Sequence, residues 1–155
     1  MVTESVWDYP RPPKVEQISD RLVVSIGELV LAETVNGIRV LETSHPPTYY
    51  FPDRDVHVGL LRREKRQSFC EFKGEADYWS IETGGTLITN IGWSYPNPTI
   101  RYIDLKDHFA FYANRPAQCW VGDEQVLAQE GDFYGGWITL RIAGPFKGAL
   151  GTNLW

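Results

Sequence analysis

Short strand-forming runs separated by tight-turn signals fill this chain, and helical periodicity is almost missing. RLVVSI (21–26) and LVLAET (29–34) flank Gly27-Glu28 and read as a hairpin. Val23, Val24, Ile26 and Val30 are β-branched, which favours a pleated surface. Asn36-Gly37, a two-residue turn signal, precedes a third strand, GIRVLET. HPPTYYFP (45–52) reads as a rigid loop, because proline cannot donate to a ladder. VHVGLL is the next expected strand, and REKR at 63–66 a solvated turn. In QSFCEFKG, strand parity puts Gln67, Phe69, Glu71 and Lys73 on one face and Ser68, Cys70 and Phe72 on the other. Gly84-Gly85 marks a further hairpin between ADYWSIE and TLITNIGW. PTIRYIDLKDHF is the only helix candidate, and it fits one short helix or 3₁₀ segment poorly. HFAFY and CWVGDEQVL read as two late strands. A doubly wound α/β fold needs several helices of ten or more residues, so the expected class is all-β or β-dominated, with at most one short helix.

The 155 residues suit one domain, expected as an extended N-terminal arm (1–17) and a single β domain (18–155). The arm carries Pro10, Pro12 and Pro13 beside Trp7 and Tyr9, whose rings are expected to dock on the body. Fifteen basic against 20 acidic residues leave a net charge of −5. That argues against a nucleic-acid coat or a membrane-surface protein. No window approaches the ~20 apolar residues of a membrane helix, and the N-terminus lacks the basic flank and apolar run of a secretion signal. The expected location is cytoplasmic, with Cys70 and Cys119 as reduced thiols. Neither cysteine belongs to a CxxC pair, and with His45, His57 and His108 they make no recognisable zinc pattern, so no metal and no cofactor is expected. Homodimerisation fits the base rate for small proteins.

Several constellations carry chemistry. ETSHPPTYYFP sets Glu42, His45, Tyr49 and Tyr50 on a proline-stiffened loop, where an imidazole could move a proton or simply bond a carbonyl. FCEFKG offers Cys70 as a nucleophile or a buried thiol, and Glu71 with Lys73 as a charge clamp or a surface pair. GWSYPNP adds Trp93 and Tyr95 near Tyr78 and Trp79. Aromatic residues are 14% of the chain, so some rings beyond the core can line a pocket, with Tyr50, Tyr78 and Trp93 foremost. Arg62, Arg63, Lys65 and Arg66 could hold a phosphate, or form a solvated surface broken by Glu64. Gly135-Gly136 and Gly144 to Gly148 bracket Lys147, and successive turn amides can cradle an anion. Walker A, GxGxxG, HExxH and GxSxG motifs are missing.

The order VLETSHPPTYYFP with Asp55-Val56, SFCEFKGEADYW, GWSYPNP and HFAFY resembles the DUF427 family over roughly residues 20–128. VWDYPRPP, GDFYGGWIT and GPFKG resemble its longer form. Phe72 stands where the family pattern has tryptophan, Gly92 where alanine is common, and GTNLW departs from the glycine-rich ending. The resemblance implies a mostly antiparallel domain of tent-like or small-barrel kind. Its recurrent polar residues correspond to Glu42, Tyr50, Asp55, Cys70, Glu71, Lys73 and Tyr78, which look like the rim of one site. A nucleotidyltransferase label is attached to the family, but the chain shows no closely spaced acid pair of the sort that chemistry uses.

The functional expectation is a small-molecule-binding domain, with acid/base residues in an aromatic-lined polar pocket. Glu42, His45, Glu71 and Lys73 are the candidate catalytic groups. Tyr50, Asp55, Cys70, Tyr78 and Trp93 are the candidate ligand-binding groups. The alternative is a non-catalytic protein-interaction module that uses the aromatic, proline-rich arm. Single-stranded nucleic-acid binding is the third class, opposed by the net charge.

Overall fold

The computed structural model describes residues 3–155 except Arg115 and Asp132. Its strands are β1 (Glu4–Ser5), β2 (Lys14–Gln17), β3 (Leu22–Ile26), β4 (Leu29–Thr34), β5 (Ile38–Leu41), β6 (Thr48–Pro52), β7 (Leu61–Cys70) and β8 (Gly74–Thr83). They continue as β9 (Thr86–Ser94), β10 (His108–Phe111), β11 (Ala117–Val121), β12 (Glu124–Gln125), β13 (Leu127–Ala128), β14 (Trp137–Ile138) and β15 (Ile142–Ala143). Among the described residues the longest helical segment is a kinked 3₁₀ stretch, Ile100–Leu105. The chain is therefore β-dominated.

A seven-stranded antiparallel sheet runs β2-β5-β6-β10-β9-β8-β7, and a four-stranded one runs β12-β11-β3-β4. They share a core of Leu22, Val24 and Leu31 from the small sheet, and of Tyr49, Phe51, Ile81 and Phe111 from the large one, with Trp137. The opposite face of the large sheet carries a second cluster: Ile38, Val40, Tyr50, Ala76, Tyr78, Trp93, Tyr95 and Ala110, covered by Tyr102 and Leu105. In β6 the alternation is plain, with Tyr49 and Phe51 in the shared core and Tyr50 in the second cluster.

The β3–β4 and β8–β9 hairpins form at Gly27-Glu28 and Gly84-Gly85 as expected. Other expectations need correction. Asn36-Gly37 makes no hairpin, because β4 and β5 belong to different sheets and the chain crosses between layers there. HPPTYYFP is a loop only at its start. Thr48–Pro52 is an interior strand between β5 and β10, with Pro52 at its last position. VHVGLL contains a 3₁₀ turn, Val58–Leu60, and the strand begins at Leu61. REKR lies inside β7, whose register shifts between Arg63 and Gln67. An edge strand tolerates such charges, and they discourage further pairing. Residues 14–17, expected within an arm, form the other edge of the same sheet against β5. The alternation expected through residue 73 stops at Cys70, where residues 71–73 turn back into β8.

The N- and C-terminal segments meet. β1 pairs in parallel with β15, and Val6, Tyr9, Leu41 and Ile142 form a third apolar cluster. Tyr9 is buried as expected. Trp7 is exposed, but its indole donates to the Pro145 carbonyl and its ring meets Trp155 edge-on. No helix of the described residues is long and apolar enough to cross a membrane.

Candidate functional site

On the second face of the large sheet lies a recess of about 260 Å³. Glu42, His45, Tyr50, Cys70, Glu71, Lys73, Tyr78 and Trp93, from four separate stretches of sequence, all line it. Asp55 does not. Its carboxylate accepts from the Thr34 hydroxyl at 2.7 Å, beside a different cleft next to β4. There it ties a 3₁₀ turn to the small sheet.

The floor is made by parity. Tyr50, Tyr78 and Trp93 come from β6, β8 and β9, and register places Tyr78 opposite Trp93. Trp93 Nε1 donates to Tyr50 Oη at 3.1 Å, and the Ser68 and Tyr78 hydroxyls bond at 2.7 Å. Burial raises the Tyr50 and Tyr95 phenols well above their usual range, so both stay protonated.

His45 sits on the loop before β6 and is buried. The Gln129 amide fixes it. Its Oε1 accepts from Gly136 N at 2.9 Å, while Nε2 donates to Lys147 O at 2.7 Å and reaches His45 Nδ1 at 3.2 Å. Nδ1 is thereby the acceptor, and the imidazole proton belongs on Nε2, which lies 3.7 Å from Glu42 Oε2. Desolvation first, then Lys147, Lys73 and Arg11, depress the imidazole to about 4. At neutral pH the His45–Glu42 contact is therefore no ion pair but a neutral N–H beside a carboxylate. Glu42 takes its charge partner from Arg11, at 3.7 Å.

Lys73 ends the turn after β7. It is 8% exposed, and its ammonium sits 5.7 Å from the Tyr95 ring centre. Glu71 is exposed, and among the described residues no ion pair joins it to Lys73, contrary to the shared face expected from strand parity. Parity fails because both residues lie in the turn. Cys70 is half-buried at the end of β7, and Cys119 lies in the shared core with its thiol pushed up by burial. Both are free thiols.

Phe133, Tyr134 and Lys147 complete the lining. Gly135 lets this segment lie flat on the floor. Its φ is +74°, and a Cβ there would stand 2.5 Å from the Trp93 ring. The glycines around Lys147 do not form an anion cradle. The amides of Gly136, Lys147 and Gly148 are used by Gln129, Ser44 and Thr152. What reaches the recess is the Lys147 side chain, with Nζ 5.0 Å from the Tyr134 ring centre. Two sequence constellations that looked unrelated thus meet here. Gln129 had no sequence signal, since its role depends on contacts with residues 84 and 18 positions away.

The basic run is woven into the large sheet. Arg62 pairs with Glu82 at 3.1 Å, and Arg66 lies over the Tyr78 ring at 3.9 Å. Glu64 accepts from the Ser80 hydroxyl and the Asn90 amide. Among the described residues, no three His, Cys, Asp or Glu side chains gather as potential metal ligands.

A family model described as a domain of unknown function, DUF427, matches residues 14–122. The chain belongs to the DUF427 family. Among curated proteins none matches it in sequence. The DUF427 match contains both long hairpins and every lining residue named up to Tyr95. It stops before Phe133, Tyr134 and Lys147, which line one side of the recess, and before Gln129, which holds His45 and Lys147 in place.

Proposed function

We propose that this DUF427 protein binds a small molecule in the aromatic-lined recess and that the polar residues there act on it. The observation that carries this reading is Lys73, a residue only 8% exposed whose ammonium opens on the recess with no carboxylate or hydrogen-bond acceptor on its Nζ among the described residues. A buried charge is costly unless compensated, so a site that keeps one facing a cavity is suited to an anionic or carbonyl-bearing ligand. The remaining groups have separable roles. His45, neutral with its proton on Nε2, donates. Glu42, beside that proton, is the group to accept one from a ligand. Tyr78 and Ser68 add hydroxyls, and Trp93 supplies a flat floor. Glu71 stands at the solvent side, and Cys70 lines the wall. The alternative, an interaction module, has no need of a deep polar recess. The free thiols Cys70 and Cys119 fit a reducing compartment such as the cytoplasm.

Native mass spectrometry of the purified 17.7 kDa chain tests this. The expected result is a small adduct that leaves on denaturation and is lost in Lys73→Met. An empty protein in which no small-molecule fragment shifts the Trp93 environment by NMR overturns the reading.

A further inference from the structure

We propose that the segment following the matched domain turns the recess into a clamp for a small planar monoanion, with Lys73 and Lys147 as its two cationic jaws. This rests on the ligand-binding reading above and names the ligand class.

The two lysines come from opposite sides of that boundary: Lys73 lies inside the matched region, and Lys147 25 residues beyond its end at residue 122. Among the described residues neither ammonium has a carboxylate or hydrogen-bond acceptor. Each instead lies near a tyrosine ring, Lys73 near Tyr95 at 5.7 Å and Lys147 near Tyr134 at 5.0 Å. A ring quadrupole attracts an ammonium only weakly and leaves it able to take an anion. The backbone of each jaw is anchored. Lys147 is gripped through its backbone, where N donates to Ser44 O at 2.8 Å and O accepts from Gln129 at 2.7 Å. Lys73 is held by the turn between β7 and β8, with its carbonyl accepting from Thr99 N at 3.1 Å.

Charge sets the valence of the ligand. Lys73 and Lys147 line the recess with Glu42 and Glu71, and Arg11, outside the lining, pairs with Glu42 at 3.7 Å. Three cations against two carboxylates leave one positive charge, which suits a monoanion. The His45 Nε2–H, 3.7 Å from Glu42, adds a neutral donor to the same lining. Size and lining set the body. About 260 Å³ bounded by Trp93, Tyr95, Phe133 and Tyr134 suits one ring system lying flat. A small recess of about 50 Å³ that shares Glu42, His45, Lys73 and Tyr134 leaves room for a small polar group beside Lys73. An aromatic carboxylate has this combination of ring and single charge.

The test uses the full chain and matched probes, benzoate with benzamide and indole-3-acetate with its amide, titrated by NMR and calorimetry. In each pair the carboxylate is expected to bind at least about tenfold more tightly than the amide. In Lys147→Met the gap is expected to close to within about twofold, while Lys147→Arg keeps most of it. Lys147 is partly exposed, so these variants should fold, and the amide titration confirms an intact recess. Equal binding of acid and amide by the unaltered protein, or an unchanged gap in Lys147→Met, overturns the clamp and leaves the ligand-binding reading standing. If neither acids nor amides bind, the clamp fails. If a neutral fragment set also fails to bind, the ligand-binding reading fails with it.

Discussion

His45 shows how much one contact decides. Without Gln129 the imidazole could carry its proton on either nitrogen. With it, Nε2–H faces Glu42, and the ring stays neutral beside three cations. Because the folded pKa, about 4, lies below the ordinary 6.5, the unfolded chain binds more protons between those values. His45 therefore contributes stability fully above pH 6.5 and loses it as pH falls toward 4, by an amount on the order of 3 kcal/mol. Urea midpoints at pH 7.5 and 4.5 should separate more in the unaltered protein than in His45→Gln. Equal separation would show that other groups carry the pH dependence. The sequence pointed to Glu42, His45, Tyr50, Cys70, Glu71, Lys73, Tyr78 and Trp93, and all eight line one recess. Asp55 sits next to β6 in sequence, but the 3₁₀ turn Asp53–Asp55 carries it toward the small sheet. Proximity along a strand says nothing about which face the following turn will take.

At the level of elements, the large sheet depends on side chains at its β2 edge. Arg39 on β5 is almost buried. It donates to Glu16 at 2.7 Å and to both oxygens of Glu4 at 3.0 Å, and Tyr9 also donates to Glu4. Arg39→Met would leave Glu4 with the Tyr9 hydroxyl and Glu16 with Lys14 at 3.9 Å, each without its guanidinium. Both keep about a third of their exposure, so the expected loss is about 2–3 kcal/mol, less than for a fully buried pair. Chemical denaturation measures it, and Glu4→Gln should cost less. Several strands, β3, β4, β5, β8 and β9 among them, were readable from their composition, and two of the tight turns from their glycines, whereas β2, β6 and the start of β7 look in sequence like arm, loop and turn. Sheet membership was not. Asn36-Gly37 looks like any hairpin turn, yet the flanking strands part company because Leu31 and Ala32 pack in the shared core while Ile38 and Val40 pack beneath the second. The prolines of HPPTYYFP hid a central strand because Pro46 and Pro47 precede it and Pro52 closes it. Gly92 shows a neighbour limiting a choice that local sequence leaves open: a Cβ there would collide with the Ala110 carbonyl on β10.

Across the whole molecule the two end segments brace the recess without both touching it. Among the described residues, none before position 14 lines the cavity. Yet Val6 O accepts from Ser44 N at 3.0 Å, and Ser44 O in turn accepts from Lys147 N at 2.8 Å. Removing residues 1–13 should therefore weaken protection of the Lys147 amide in hydrogen exchange by at least about tenfold and lower affinity for a recess ligand. Unchanged protection would show that Gln129 and Thr152 suffice to hold the segment. The same backbone relay runs in reverse. A molecule that seats on Lys147 favours the arrangement in which Ser44 and Val6 are engaged, so occupancy and fraying of the N-terminal segment must oppose each other. Limited proteolysis near Trp7 would then slow in proportion to how full the recess is, making the nicking rate of a distant, exposed stretch a gauge of ligand saturation.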